Sequence, residues 1–254
     1  MNNLIRIIKR KWRTLRLRPI RVFAVHHVSD VYNPLTMWEC DWTQAECLKD
    51  KLLQLKQKGY SFISMTDACE KMKHDRFRGE RYIVLTADDG YKSILDFLPW
   101  LEEQQMPITL FINTKYLDGK TWSAANEEQA QSVKPDVNML TDVCPNLYMT
   151  QEELFALTSP YISIGMHGHE HLNACEISLD VFRRNVEQCR DILQNHPRFI
   201  PYMAYPWGSR NEQSDAVLHD MHIVPVRFDG MENFEYEGYI DRLPVEDIEL
   251  RGLI

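Results

Sequence analysis

The chain has 254 residues, 44% of them hydrophobic and 26% charged, with a formal net charge of −8 at neutral pH. That composition suits one globular domain of ordinary α/β-barrel size and excludes disordered and fibrous classes. The acidic balance argues against a general nucleic-acid binder, and no apolar run approaches the ~20 residues that a membrane-spanning helix needs.

The charge is unevenly placed. Residues 1–29 hold eight bases and no acid, which leaves a net charge of −16 for the remainder. Residues 1–20 therefore read as a basic segment distinct from a single domain over 21–254. Within residues 1–18, Leu4, Ile8, Trp12 and Leu15 can line one side of a helix. Such a helix is either an interfacial anchor on anionic lipid or a surface helix or solvated tail. Arg and Lys interrupt its apolar stretches, so it does not read as a secretory signal. The six cysteines include no C-x-x-C pair. They read as reduced thiols of a cytoplasmic protein, with peripheral contact at the inner membrane face as an added expectation.

From residue 21, short β-rich runs alternate with segments of helical period. Residues 21–28 predict a strand. Residues 43–59 predict a helix with Leu48, Leu52, Leu53 and Leu55 on one face and Gly59 as its stop. A strand at 60–64 and a short helix at 66–73 follow. The run 81–86 predicts a buried strand, 91–105 a helix with Ile94, Leu95, Leu98 and Leu101 inward, and 107–113 a strand. Residues 117–150 lose periodicity and read as a long excursion. Helices are then predicted at 150–157, 178–194 and 211–218, the first opening on a capping box. They alternate with strands at 161–166, 199–205 and 222–228, and with a last one at 239–243. This order implies a largely parallel sheet, closed or nearly closed into a distorted (β/α)7-8 barrel with its chemistry at the C-terminal strand ends.

Four polar sets fall at those ends. Thr86-Ala87-Asp88-Asp89-Gly90 places two adjacent carboxylates after a buried strand. Alternation makes them point differently, one toward a metal and the other toward a water. His167-Gly168-His169-Glu170-His171 holds three of the chain's nine histidines. His167 and His171, at i and i+4, can converge on one ion while His169 points elsewhere. Tyr205-Pro206-Trp207-Gly208 either offers turn amides and two aromatic rings able to stack on a sugar, or forms a packed loop, since Pro and aromatic residues often line cores. His26-His27 ends the first strand and faces the same rim.

These motifs, in order, resemble those of the polysaccharide deacetylase (NodB-homology) family. Residues 86–90 are similar to its T-F-D-D-G with Ala87 for Phe. Residues 167–171 are similar to its H-[S/T]-x-x-H with Gly168 at the small position. Residues 205–208 are similar to its aromatic-Pro-aromatic-Gly motif. The resemblance spans roughly residues 21–245 and implies Asp88 as general base. It implies Asp89, His167 and His171 as ligands of one divalent metal, most often Zn2+, and the Trp207 N–H as an oxyanion donor. Tyr205, Pro206, Trp207 and Gly208 are expected to meet the substrate. The chain departs from the family where an arginine usually precedes the third motif, and Arg242 is the candidate replacement. It also lacks a late L-x-H histidine. By resemblance to the poly-N-acetylglucosamine deacetylase branch, His26 becomes the candidate acid, with His27 as fallback.

The expected activity is metal-dependent removal of N-acetyl, or O-acetyl, groups from an amino-sugar glycan or a lipid-linked saccharide. The rival readings are an amidohydrolase acting on a small non-sugar amide in a pocket closed by residues 117–150, and a sugar-binding module with decayed catalysis.

Overall fold

The computed structural model describes residues 18–31, 42–74, 80–118 and 147–254. The expected basic helix, Cys40, Cys144 and most of the 117–150 excursion lie outside the described residues.

The elements in chain order are β1 (Arg21–Val25), β2 (His27–Val28), β3 (Trp42–Thr43), α1 (Ala45–Gln57), β4 (Ser61–Phe62), α2 (Met65–Lys73), β5 (Tyr82–Ala87), α3 (Ile94–Glu103) and β6 (Ile108–Ile112). After them come α4 (Gln151–Phe155), β7 (Ile162–Met166), α5 (Leu179–Leu193), β8 (Phe199–Ala204), α6 (Glu212–Asp220), β9 (Val224–Arg227), β10 (Ile240–Asp241), β11 (Leu243–Pro244) and α7 (Asp247–Leu250). The strand expected over 21–28 is split into β1 and β2, whereas β3 and helix α7 carry no periodic signal of their own. The other elements fall where the periodicity places them, with ends moved by at most three residues.

Eight strands run side by side in the order β10-β9-β8-β7-β6-β5-β1-β11. Every neighbouring pair is parallel. The two ends of that path are consecutive in the chain, with only Arg242 between β10 and β11. One extended stretch thus pairs first with β9 and then with β1, and brings the sheet almost to closure. The short β4 adds a bridge to the base of β5.

Alternation along the strands sorts the side chains into two cores. Phe23, Val25, Ile83, Leu85, Ala87, Ile108 and Leu110 face outward and pack under the helices. Val22, Val84, Phe111, Ala204, Val226 and Ile240 face inward, joined by Met65, Ala68, Cys69 and Met72 of α2. Helix α1 buries Leu48, Leu52 and Leu55 along one stripe. Each contributes roughly 1.5–3 kcal/mol by leaving water.

Local signals set the helix ends. Thr150 and Glu153 form a reciprocal capping box at α4. Ser178 caps α5 by accepting the Val181 N–H. Asn211 and Ser214 cap α6 in the same reciprocal way. Helix α3 begins later than its apolar period suggests. Tyr91 instead bridges to Tyr148, and the Lys92 N–H donates to the Leu147 carbonyl. No described helix is long and apolar enough to cross a membrane.

Candidate active site

The inward series of β1 is Val22, Ala24 and then His26, and that of β5 is Val84, Thr86 and then Asp88. Both series therefore end at the barrel mouth. The Asp88 N–H donates to the Val25 carbonyl at 3.0 Å, which ties the two strand ends together. By alternation alone Asp89 would turn outward. Its backbone instead adopts φ +67°, a left-handed conformation that L-residues seldom take. The turn sends its carboxylate back over the mouth, so both acids line one pocket.

His167 and His171 leave β7 in a loop that Gly168 makes possible, with φ +86°. A Cβ at Gly168 would stand 2.5 Å from Asn185 Oδ1, closer than any side chain allows. Asn185 in α5 accepts the His169 N–H at 3.0 Å. Asn113 donates to the His167 carbonyl at 2.6 Å. These braces aim two of the three rings inward. His169 turns to Thr114, with Nδ1 2.9 Å from its hydroxyl.

Asp89 Oδ1 lies 3.2 Å from His167 Nε2 and 3.3 Å from His171 Nε2. His167 Nδ1 is 2.9 Å from the Ala204 carbonyl, an oxygen that can only accept. The Nδ1 atom therefore carries a proton, and in the neutral ring Nε2 presents a lone pair to a carboxylate oxygen. Asp89 Oδ1 is buried and receives no well-aligned hydrogen bond. Two electron pairs that face one another call for a cation between them. The separations match the roughly 3.4 Å between ligands of a tetrahedral ion. Asp89, His167 and His171 thus fit one divalent metal. Burial alone would push the Asp89 carboxyl up. The facing His171 and His167 rings outweigh that effect and hold it well below the usual carboxylate range. Burial would likewise lower His167, but Asp88 and Asp89 raise it, which makes its Nε2 a seat for positive charge.

Asp88 does a different job. Arg242 reaches it from between β10 and β11 with two hydrogen bonds, at 2.6 and 2.7 Å, and a third at 3.1 Å to Thr86 Oγ1. Burial pushes the Asp88 carboxyl up, but Arg242 and, less strongly, His167 and His26 bring it below its ordinary value. His26 Nε2 lies 4.0 Å from Asp88 Oδ2. His27 faces the other way. Its ring is buried edge-on to Tyr91, and desolvation drops its pKa to about 4.

Beyond β8, Pro206–Gly208 form a tight turn with Trp207 at φ +61°. Trp207 is 48% exposed, and its ring stands 4.8 Å from that of His171. The two hydrogen bonds that close the turn use the Gly208 and Ser209 N–H groups, not that of Trp207. Tyr205 differs from the expectation of a sugar-stacking ring. It is 1% exposed, stacks on Phe182 and donates its hydroxyl to Asp215 at 2.9 Å. Its ring faces α5 and α6, and only Trp207 of the two aromatics offers a free face.

The resulting pocket is open, with a volume of about 190 Å³. His26, Asp88, Asp89, His167, His171, Trp207, Phe228 and Arg242 line it, together with Tyr205 and Gly208. Sequence reasoning did not find Phe228, Asn185 or Asp215. For the last two a signal existed, because each is a polar residue at an inward position of an amphipathic helix.

A family model described as polysaccharide deacetylase matches residues 75–226. No curated protein gives a significant sequence match. Among solved structures, IcaB from Ammonifex degensii is similar at a TM-score of 0.72 and 15% identity, with 93% of this chain and 96% of that one covered. The Streptococcus pyogenes deacetylase PplD in complex with acetate aligns at 0.70 and 15% identity, covering 93% and 98%. A de-N-acetylase from Aggregatibacter actinomycetemcomitans aligns at 0.67 and 16% identity, covering 88% and 94%. At these identities the likeness is one of fold, and it is the expected barrel.

Proposed function

The chain belongs to the polysaccharide deacetylase family, and from that premise we propose that it hydrolyses the N-acetyl group of an amino sugar in a glycan or lipid-linked saccharide, releasing acetate and a free amine. O-deacetylation lies within reach of the same groups. The observation that carries this reading is the pairing of two unlike carboxylates. Asp89 Oδ1 sits between two imidazole nitrogens, and Asp88 beside it is clamped by a guanidinium. The likeness to structures described as a deacetylase and a de-N-acetylase supports it.

Asp89, His167 and His171 would hold one divalent cation, which we take to be zinc, and that ion would supply Lewis-acid polarisation of the acyl oxygen and acidify water. Arg242 keeps Asp88 ionised, and Asp88 removes the proton from the attacking water. The Trp207 N–H donates to the oxygen on which negative charge develops. His26 delivers a proton to the departing amine. The open pocket rimmed by Trp207 suits a sugar at the end or along the side of a chain.

Two further parts of the reading rest on composition. The basic residues before position 30 support peripheral contact with anionic lipid. Cys47, Cys69, Cys175 and Cys189 are free thiols, which supports a cytoplasmic location. Acetate release from an N-acetylglucosamine oligomer, assayed with and without chelator, tests the activity.

A further inference from the structure

Among the described residues, no hydrogen bond or ion pair directly joins two parts of the site, the turn carrying Trp207 and the strand carrying Arg242. A polar cluster outside the barrel joins them. Asp215 projects from α6 and is buried. Its Oδ1 accepts the Tyr205 hydroxyl at 2.9 Å. Its Oδ2 accepts Arg210 Nη1 at 2.8 Å and Arg227 Nη2 at 2.5 Å. Tyr205 is the residue from which the Trp207 turn springs. Arg227 ends β9, and its backbone carbonyl accepts the Arg242 N–H at 3.1 Å. Its guanidinium lies 3.3 Å from the centre of the Tyr239 ring, just before β10.

We infer that Asp215 is a positioning residue that holds the Trp207 turn and the Arg242 strand in one fixed relation. The inference rests on the proposed roles of Trp207 and Arg242. A left-handed backbone at a non-glycine residue such as Trp207 is strained and persists only where its surroundings over-determine it. The Tyr205–Asp215 bond supplies that constraint on one side. The charge on Asp215 is matched by two guanidiniums, so each of its bonds is charge-assisted and stronger than a neutral one. Asp215 does not itself line the pocket; it acts through Tyr205, which does, and through Arg227. Placement of an oxyanion donor within a fraction of an ångström decides its effect, and a 1 Å misplacement can cost about a hundredfold in rate.

The test uses Asp215→Asn and Tyr205→Phe in the full-length, metal-loaded protein. Hydrogen–deuterium exchange is read by peptide, and acetate release is measured from an N-acetylglucosamine oligomer. Tyr205→Phe removes one hydroxyl and keeps the ring that packs on Phe182, so it retains the fold if Asp215→Asn does not. In either variant, exchange over residues 205–211 is expected to rise about tenfold while residues 86–90 and 167–171 keep their protection. Asp215→Asn also speeds exchange over 239–243. Turnover is expected to fall about ten- to a hundredfold at unchanged KM and metal content. Unchanged exchange over 205–211 in both variants overturns the inference. A uniform rise across the barrel, or a fall in turnover matched by metal loss, overturns it too, because the role is then merely structural. If the unaltered protein releases no acetate, the proposed function fails, and the exchange data still decide whether Asp215 fixes the turn.

Discussion

Arg242 and Asp88 form a buried bidentate ion pair at 2.6 and 2.7 Å, joined across 154 positions of the chain. The pair spans the barrel where β10 and β11 bring its sheet almost to closure. It also separates the two neighbouring carboxylates: Asp88 faces a fixed organic cation, and Asp89 faces two imidazole nitrogens.

Breaking that pair is expected to be costly in two ways. Arg242→Met leaves a buried carboxylate without its counter-charge, which destabilises the fold by about 3–5 kcal/mol. It also removes the charge that lowers the Asp88 pKa, so the acid limb of the pH–rate profile moves to higher pH. Arg242→Lys keeps the charge but loses the fork, and falls between. Because Asp88 titrates below its unfolded value of ~3.9 in the native protein, the stability it contributes is present above that pH and is lost as the pH falls further. Chemical denaturation together with pH–rate profiles of the two variants checks both effects.

The metal site divides the three histidines. His171→Ala is expected to lower bound metal sharply, whereas His169→Ala leaves it nearly intact, since the His169 ring bonds to Thr114 instead. Metal analysis of dialysed protein reads this directly. Equal losses from the two variants would contradict the assignment.

His26 and His27 are expected to behave oppositely. His26 reaches Asp88 and the pocket, while His27 is buried against Tyr91. His26→Ala slows amide cleavage by about 10²–10⁴-fold, and slows an activated ester such as 4-nitrophenyl acetate far less, because a good leaving group needs little protonation. His27→Ala acts on stability instead, by leaving a cavity. Parallel rate measurements on the two substrates distinguish the histidines.

Asp241 offers a pH test of the outer cluster. Burial, helped by Asp229, raises its carboxyl pKa to about 6. The native state therefore holds a proton more tightly than the unfolded chain does. Stability is favoured below the unfolded value of ~3.9, falls as the pH rises to 6, and carries the full penalty above. Asp241→Asn removes that penalty. It is expected to stabilise the protein by about 1–2 kcal/mol at pH 8, once solvent screening is allowed for, and by little at pH 4. Denaturant titrations at the two pH values measure the difference.

Strand alternation made much of the site legible. Counting along β1 separates His26 from His27, and counting along β5 places Asp88 on the inner face. Local spacing likewise marked His167 and His171 and set His169 apart. What alternation cannot reach is a residue past the end of a strand. Asp89 turns back only because its backbone enters the left-handed region, which no side-chain pattern announces. The Tyr205 ring was legible as one that either stacks on a sugar or packs inside, but not as which, since the Phe182 and Asp215 that claim it come from two separate helices. The Arg242–Asp88 distance is likewise a product of barrel closure, and its residues carry no local sign of each other.

The central claim is that Asp88 is the base of a metal-dependent deacetylase. It is tested most directly by acetate release from an N-acetylglucosamine oligomer, comparing metal-loaded wild type, the chelated protein and metal-loaded Asp88→Asn. The account predicts turnover in the first alone, with Asp88→Asn retaining its metal and losing about 10²–10⁴-fold in rate. Near-normal turnover by metal-loaded Asp88→Asn, or by the chelated protein, would contradict it.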